Sequence, residues 1–306
     1  MLSPGIYFSP GKLLITGEYL VLHGAMALAV PTRFGQNLHL EKLDSDIISW
    51  ELKNHLGQIT YSSEWNRALV CIHSNLPEWD IQVKRILEYL IGQGIEVEGF
   101  KFNFQLDYPQ EWGLGSSATL IANLAKAASI DPMPFFRATQ TGSGYDVAVA
   151  FECKSLIYKL ESGEPIWEPV IYSPSFSKQM HFVFRGQKQK SDLEVKRYLK
   201  REKASREVLK AINRLTQQIK DCSELGEMIK LIRLHEELVG EQIGAVTVQK
   251  ELFNDFNGVV KSLGAWGGDF MLAVAEEGQD VQGYFSEKGF PLALSYDEMI
   301  GEYGIE

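Results

Sequence analysis

The chain has 306 residues, 45% hydrophobic and 23% charged, with a formal net charge of −10. That is long enough for one large unit or two lobes, and the composition is that of an ordinary globular protein. The acidic balance argues against nucleic-acid binding, which needs a basic face to displace counterions, yet leaves room for an anionic small substrate met by a few local lysines. No apolar run nears the roughly 18 residues of a membrane span. The start Met1-Leu2-Ser3-Pro4-Gly5 lacks the basic and apolar stretches of a secretory signal. Cys71, Cys153 and Cys222 are far apart and in no CxxC pair, which points to free thiols and a cytoplasmic location.

Along the chain, Leu13 to Ile15 and Ala25 to Val30 read as strands joined by glycine turns. From Phe34 to Tyr61 apolar and polar residues alternate, as in antiparallel strands with one face in water. Pro77-Glu78-Trp79 opens a helix expected to bury Ile81, Ile86, Leu87, Leu90 and Ile91. The strand Phe100 to Leu106 leads into Glu111-Trp112-Gly113-Leu114-Gly115-Ser116-Ser117-Ala118-Thr119 and an apolar helix from Leu120 to Ala128. Glycines that let the backbone approach a ligand, then the free N–H groups and positive dipole end of a helix, make a seat for phosphate. A plain turn with serine caps is the competing reading of that stretch.

Asp131-Pro132 then breaks the pattern, with Asp131 as a cap or turn residue, and Phe135 to Thr139 forms a helical turn. Gly142-Ser143-Gly144-Tyr145-Asp146-Val147-Ala148 precedes a strand from Ser155 to Leu160. The proline-rich stretch from Gly163 to Phe176 reads as a crossing between lobes. Met180 to Phe184 is a strand, followed by the polar loop that carries Lys188 and Lys190. Helices are expected over Lys203 to Lys220, Ser223 to Ile243 and Gln249 to Leu263. His235-Glu236-Glu237-Leu238 is not a zinc motif and is read as facing solvent. A glycine turn, Gly264-Ala265-Trp266-Gly267-Gly268-Asp269, leads into the strand Phe270 to Ala275, and a helix (Val281 to Lys288) and a strand (Pro291 to Leu294) follow.

Four motifs, PGKLLITGEYLVLHGAMALAVP from Pro10, GLGSSAT from Gly113, GSGYDVA from Gly142 and GAWGGDF from Gly264, resemble in order and spacing those of the GHMP kinase superfamily. The form is most similar to mevalonate and phosphomevalonate kinases. The resemblance implies an α+β, two-lobed fold: a ribosomal-protein-S5-like N-terminal lobe over residues 1–165 and a ferredoxin-like α/β C-terminal lobe over residues 166–306. It implies ATP and Mg²⁺ as cofactors, a small anionic substrate, no nucleic-acid or membrane partner, and a monomer or homodimer. The nucleotide phosphates would lie on Gly113, Leu114, Gly115, Ser116, Ser117 and Ala118, with Ser117 also a magnesium ligand. Asp146 would orient or deprotonate the acceptor hydroxyl, and Lys12 would balance charge beside it. Glu18 and Tyr19, Lys188 and Lys190, and Gly267 and Gly268 would face the substrate. Two lysines after Arg185-Gly186 suit a phosphorylated acceptor, so mevalonate and 5-phosphomevalonate are both candidates.

The sequence departs from that pattern. The family's magnesium glutamate has no counterpart, because no Glu lies between Trp112 and Phe151. Trp266 and Asp269 also stand where glycines are usual. The rival readings are an ATP-dependent diphosphomevalonate decarboxylase of the same superfamily, which would release CO₂, and a non-catalytic nucleotide-binding member, which would bind ATP without transferring phosphate.

Overall fold

The computed structural model describes residues 1–186, 198, 203–266 and 269–301. The chain divides into two units, each assembled from separate stretches. The first comprises Met1–Gly11, Phe34–Gln110 and Leu114–Cys153; the second comprises Lys12–Arg33, Glu111–Gly113 and Lys154–Glu306.

The first unit contains the start of β1 (Gly5–Leu14), most of β2 (Ala27–Lys42), then β3 (Ile48–Lys53), β4 (Ile59–Trp65), β5 (Cys71–Ser74), α1 (Asp80–Gly92) and β6 (Phe100–Leu106). Its strand order is β5-β4-β3-β6-β2. The alternation read over residues 34–61 is real, but β2 and β3 are not neighbours. β6 lies between them, antiparallel to β2 (Gln36 opposite Leu106) and parallel to β3 (Ser49 opposite Lys101). Every second residue of β6 points inward, so Phe100, Phe102, Phe104 and Leu106 are buried. The Trp50 ring packs on both Phe102 and Phe104, with centroids 5.1 Å apart in each pair.

Helix α1 buries Val83, Ile86, Leu87 and Leu90, a stripe at i, i+3, i+4 and i+7. Ile81 and Ile91, expected on that stripe, are instead exposed, since their positions fall off its axis. Three more helices complete the unit: α2 (Ser116–Ala128), α3 (Pro132–Thr139) and α4 (Tyr145–Glu152). The alanine-rich α2 is buried along most of its length. Thr119 Oγ1 donates to Gln36 Oε1 (3.0 Å) and Asn123 Nδ2 to the Gln36 carbonyl (2.8 Å), which fixes the helix on β2.

In the second unit, β7 (Leu156–Glu161) pairs with the first residues of β2, Ala27 to Ala29, and with β8 (Glu164–Pro169). The expected crossing therefore begins as a hairpin. Ser162 and Gly163 both take positive φ, the two-residue turn that matches strand twist. Pro165 and Pro169 are tolerated because β8 ends the strand order and has one unpaired side.

Next come β9 (Met180–Phe184), α5 (Arg206–Asp221), α6 (Leu225–Ile243), α7 (Val248–Leu252), β10 (Gly258–Ser262), β11 (Phe270–Ala275), α8 (Val281–Glu287), β12 (Ala293–Ser295) and α9 (Tyr296–Met299). The four strands form an antiparallel sheet in the order β10-β11-β9-β12. The helix expected over Gln249 to Leu263 stops at Leu252. Asn254, Asp255, Asn257 and Gly258 favour turns, and the β-branched Val259 and Val260 then join the sheet opposite Val274 and Ala273. Phe253, Phe256 and Phe285 pack with Val260 and Met271 beside it.

Candidate functional site

The glycine-serine stretch folds as its residue types demand. Gly113 (φ 66°) and Gly115 (φ 94°) are both left-handed, a conformation costly for any residue with a Cβ. Between them Leu114 is fully buried and anchors the turn. Gly115 is the N-cap of α2 and no side chain caps the helix, so the serines do not act as caps. The Ala118 and Thr119 N–H groups both reach the Gly115 carbonyl (3.0 Å each). Ser116 is half-buried and Ser117 is exposed at the first turn. An uncapped helix start with its N–H groups and two hydroxyls is a concentration of donors suited to an anion.

In the same unit, Gly144 (φ 87°) is the N-cap of α4, and Asp146 lies one turn-position inside it, half-buried. Its Oδ1 accepts from the Val147 N–H at 3.0 Å. Asp146 is therefore a first-turn residue rather than the cap, and its charge is favoured there by the helix dipole. Asp131 does cap: it precedes α3 and accepts from the Met133 N–H at 2.8 Å.

In the second unit, half-buried Lys12 donates from Nζ to the Gly113 carbonyl at 3.0 Å, placing a cation on the glycine that opens the loop. The carboxylate of Asp269 lies against the Cα of that same glycine, where an added Cβ would collide with it. Trp266 leans on the cluster formed by Leu20, Ala25, Ile212 and Val239. The Tyr19 hydroxyl donates to the Ala265 carbonyl at 2.9 Å, and its ring packs on Tyr198 with centroids 5.1 Å apart. Lys188, Lys190, Gly267 and Gly268 lie outside the described residues.

Glu18 departs from the sequence reading. It does not face a cleft; it is fully buried and ion-paired to Lys261, itself fully buried. His235 and Glu236, read as solvent-facing, are buried beside it. The Ser262 N–H donates to Glu236 Oε1 at 3.0 Å, and Glu236 Oε2 is 4.0 Å from Lys261 Nζ. The Gly17 N–H donates to His235 Nε2 at 3.0 Å, so that nitrogen carries no proton. Burial, with the Lys261 charge in support, holds His235 well below its ordinary range, and its 3.9 Å approach to Glu18 is not an ion pair. Burial pushes Glu18 up against the opposing pull of Lys261. Burial likewise pushes Glu236 up to about 7. This four-residue knot fixes the Gly17-Glu18-Tyr19 turn. The spacing Met228, Ile232, His235, Val239, all on the buried face of α6, was the available signal for it.

Among the described residues, no group of three or more His, Cys, Asp or Glu is placed to hold a metal ion. These described residues build no protein cage for a cation, and the exposed Ser117 hydroxyl is an oxygen donor at the first turn of α2. No described helix is long and apolar enough to cross a membrane.

No protein-family profile matches the chain, and no curated protein does. Solved structures do match over nearly its full length. The Methanococcus jannaschii mevalonate kinase aligns with a TM-score of 0.69 at 20% identity, covering 96% of this chain and 98% of that one. Streptococcus pneumoniae phosphomevalonate kinase, in complex with phosphomevalonate and AMPPNP, aligns with a TM-score of 0.70 at 15% identity, covering 95% and 99%. Lactococcus lactis galactokinase complexed with galactose aligns with a TM-score of 0.69 at 14% identity, covering 98% and 94%. The architecture is thus shared with kinases of quite different acceptors.

Proposed function

We propose, on the premise that this chain carries the fold of the GHMP kinases, that it is an ATP-dependent kinase. It transfers the γ-phosphate to a mevalonate-type acceptor, either mevalonate or 5-phosphomevalonate. The observation that carries the reading lies within the first unit: the uncapped start of α2 behind the left-handed Gly115, with the Ser116 and Ser117 N–H groups and hydroxyls at its first turn. Phosphoryl transfer asks a protein mainly for positioning and charge compensation, and donors gathered at a helix start supply a seat for the phosphates.

In this reading the Ser116 and Ser117 N–H groups and hydroxyls bind the phosphate tail of ATP, and Ser117 contributes a ligand to its magnesium ion. Magnesium, when bound, neutralises charge on the transferring group. Asp146 orients the acceptor hydroxyl and accepts its proton. Lys12, which donates to the Gly113 carbonyl, balances the charge that develops on transfer. Glu18 has a structural part here, since its carboxylate is committed to Lys261. The mevalonate-type acceptor is supported by the extended PGKLLITGEYLVLHGAMALAVP match and by the GSGYDVA form of the Asp146 segment.

One observation favours a second reading, a nucleotide binder that transfers nothing. The Asp269 carboxylate beside Gly113 adds negative charge to a loop meant for phosphate. A single assay separates the two. Purified protein is incubated with Mg-ATP and, in turn, mevalonate, 5-phosphomevalonate, diphosphomevalonate, galactose and homoserine, with ADP and CO₂ release followed. ADP release dependent on mevalonate or its 5-phosphate is the expected result. CO₂ release with diphosphomevalonate would identify a decarboxylase, and ATP binding without acceptor-dependent ADP would leave only the non-catalytic reading.

A further inference from the structure

Lys126 is a cation of the first unit whose hydrogen-bond partners are all uncharged groups or sulfur. It stands on the last turn of α2, and its Nζ donates to the Phe8 carbonyl (2.8 Å), Ser9 Oγ (3.0 Å) and the Ala150 carbonyl (3.0 Å). Its fourth neighbour is the sulfur of Cys153, at 3.2 Å. None of the four is a carboxylate. Cys153 is the C-cap of α4, held left-handed at φ 56°, with its thiol turned back toward the Ala150 and Phe151 carbonyls. Cys153 as a residue is half-buried, and it is a free thiol. Burial pushes the Lys126 ammonium below its ordinary range, with Cys153 and Glu152 pulling the other way. A partly desolvated amine on a flexible stem thus rests at hydrogen-bond distance from a thiol sulfur.

We propose that Lys126 and Cys153 are an oxidation-triggered crosslinking pair, closing a sulfenamide bond between Nζ and Sγ. Hydrogen peroxide first converts the Cys153 thiol to the sulfenic acid; sulfur is oxidised by two electrons, one peroxide oxygen stays on it and the other leaves as water. The lone pair of neutral Lys126 Nζ then attacks sulfur, the S–O bond breaks, and the departing hydroxide leaves as water with a proton from nitrogen. The net change is the loss of one hydrogen from sulfur and one from nitrogen. Two equivalents of a thiol reverse it, restoring amine and thiol and forming a disulfide of the reductant.

The position of the pair gives the link a consequence. It fastens the last turn of α2, whose first turn carries Ser116 and Ser117, to the end of α4, whose first turn carries Asp146. The chemistry itself does not depend on what those helix starts bind. Cys71 and Cys222 serve as internal controls. Their sulfurs donate to the His73 and Glu224 carbonyls and have no lysine nitrogen beside them among the described residues.

The test is peptide mapping of the peroxide-treated full chain without reduction. The expected product is a linked peptide pair containing Lys126 and Cys153, two hydrogens lighter than the sum of its parts and absent after dithiothreitol. It should form at least about tenfold more in the folded protein than in urea, because positioning supplies the effective concentration. Lys126→Arg should abolish the link while leaving Cys153 oxidisable. Equal linking in urea, a linked product that retains oxygen, or a Cys153 sulfinic acid with Lys126 still open to acetylation would each overturn the proposal.

Discussion

Glu236→Gln provides a quantitative test of the buried knot beneath the Gly17-Glu18-Tyr19 turn. In the folded protein burial raises Glu236 from an ordinary 4.5 to about 7. A carboxyl raised in this way contributes stability fully below pH 4.5 and loses it as pH climbs through 7. At about 1.4 kcal/mol per unit, ionising Glu236 costs the fold about 3 kcal/mol by pH 8 and under about 1 kcal/mol at pH 5. Glutamine keeps a carbonyl oxygen for the Ser262 N–H and cannot ionise. Wild type and variant should therefore be close in stability at pH 5, with the variant ahead by about 2 kcal/mol or more at pH 8. In urea unfolding followed by tryptophan fluorescence, that gap moves the midpoint by somewhat under about 1 M. The raised Glu18 acts in the same direction as Glu236, whereas the lowered His235 costs stability as pH falls below 6.5. Both groups persist in the variant, so the difference between the two pH profiles reports Glu236 together with its charge coupling to Glu18. Parallel profiles for the two proteins would refute the assignment of a buried, mainly neutral carboxyl.

Asp146→Asn should lower acceptor-dependent turnover by at least about 100-fold with little change in ATP affinity measured by calorimetry, as loss of a general base does; turnover within a few-fold of wild type would remove Asp146 from the chemistry. Gly113→Ala should destabilise by about 1–3 kcal/mol, because φ 66° is strained for alanine and its Cβ meets the Asp269 carboxylate. Adding Asp269→Ala should recover part of that loss, read as a coupling energy in a double-mutant cycle. Lys188→Ala with Lys190→Ala should raise KM for 5-phosphomevalonate and leave KM for mevalonate nearly unchanged; equal effects on both would mean these lysines do not meet the substrate's phosphate.

Much of the local structure was legible in residue order alone. The alternation of FKFNFQL, the glycine pair ahead of an apolar helix, and Asp131 before Pro132 each state a conformation through spacing and side-chain chemistry that act within a few residues. Local chemistry also specifies where the motif residues lie, Ser117 and Asp146 in the first turns of their helices and Lys12 within β1. Where turn formers and β-branched residues followed a helix without a clear boundary, as at 253–262, local pattern misled, and sheet pairing decided the outcome.

What only the tertiary structure decided are the partnerships between residues far apart in the chain. Strand β6 enters between β2 and β3, Glu18 meets Lys261, and Lys126 meets Cys153. A glutamate next to a glycine turn reads as exposed, because burying its charge is costly unless a counter-charge is supplied. Here the counter-charge comes from a lysine 243 positions away. Composition and periodicity act over one or two turns of chain, whereas burial, and with it the protonation of Glu236 and the setting of Lys126, depends on which distant surfaces close over a side chain.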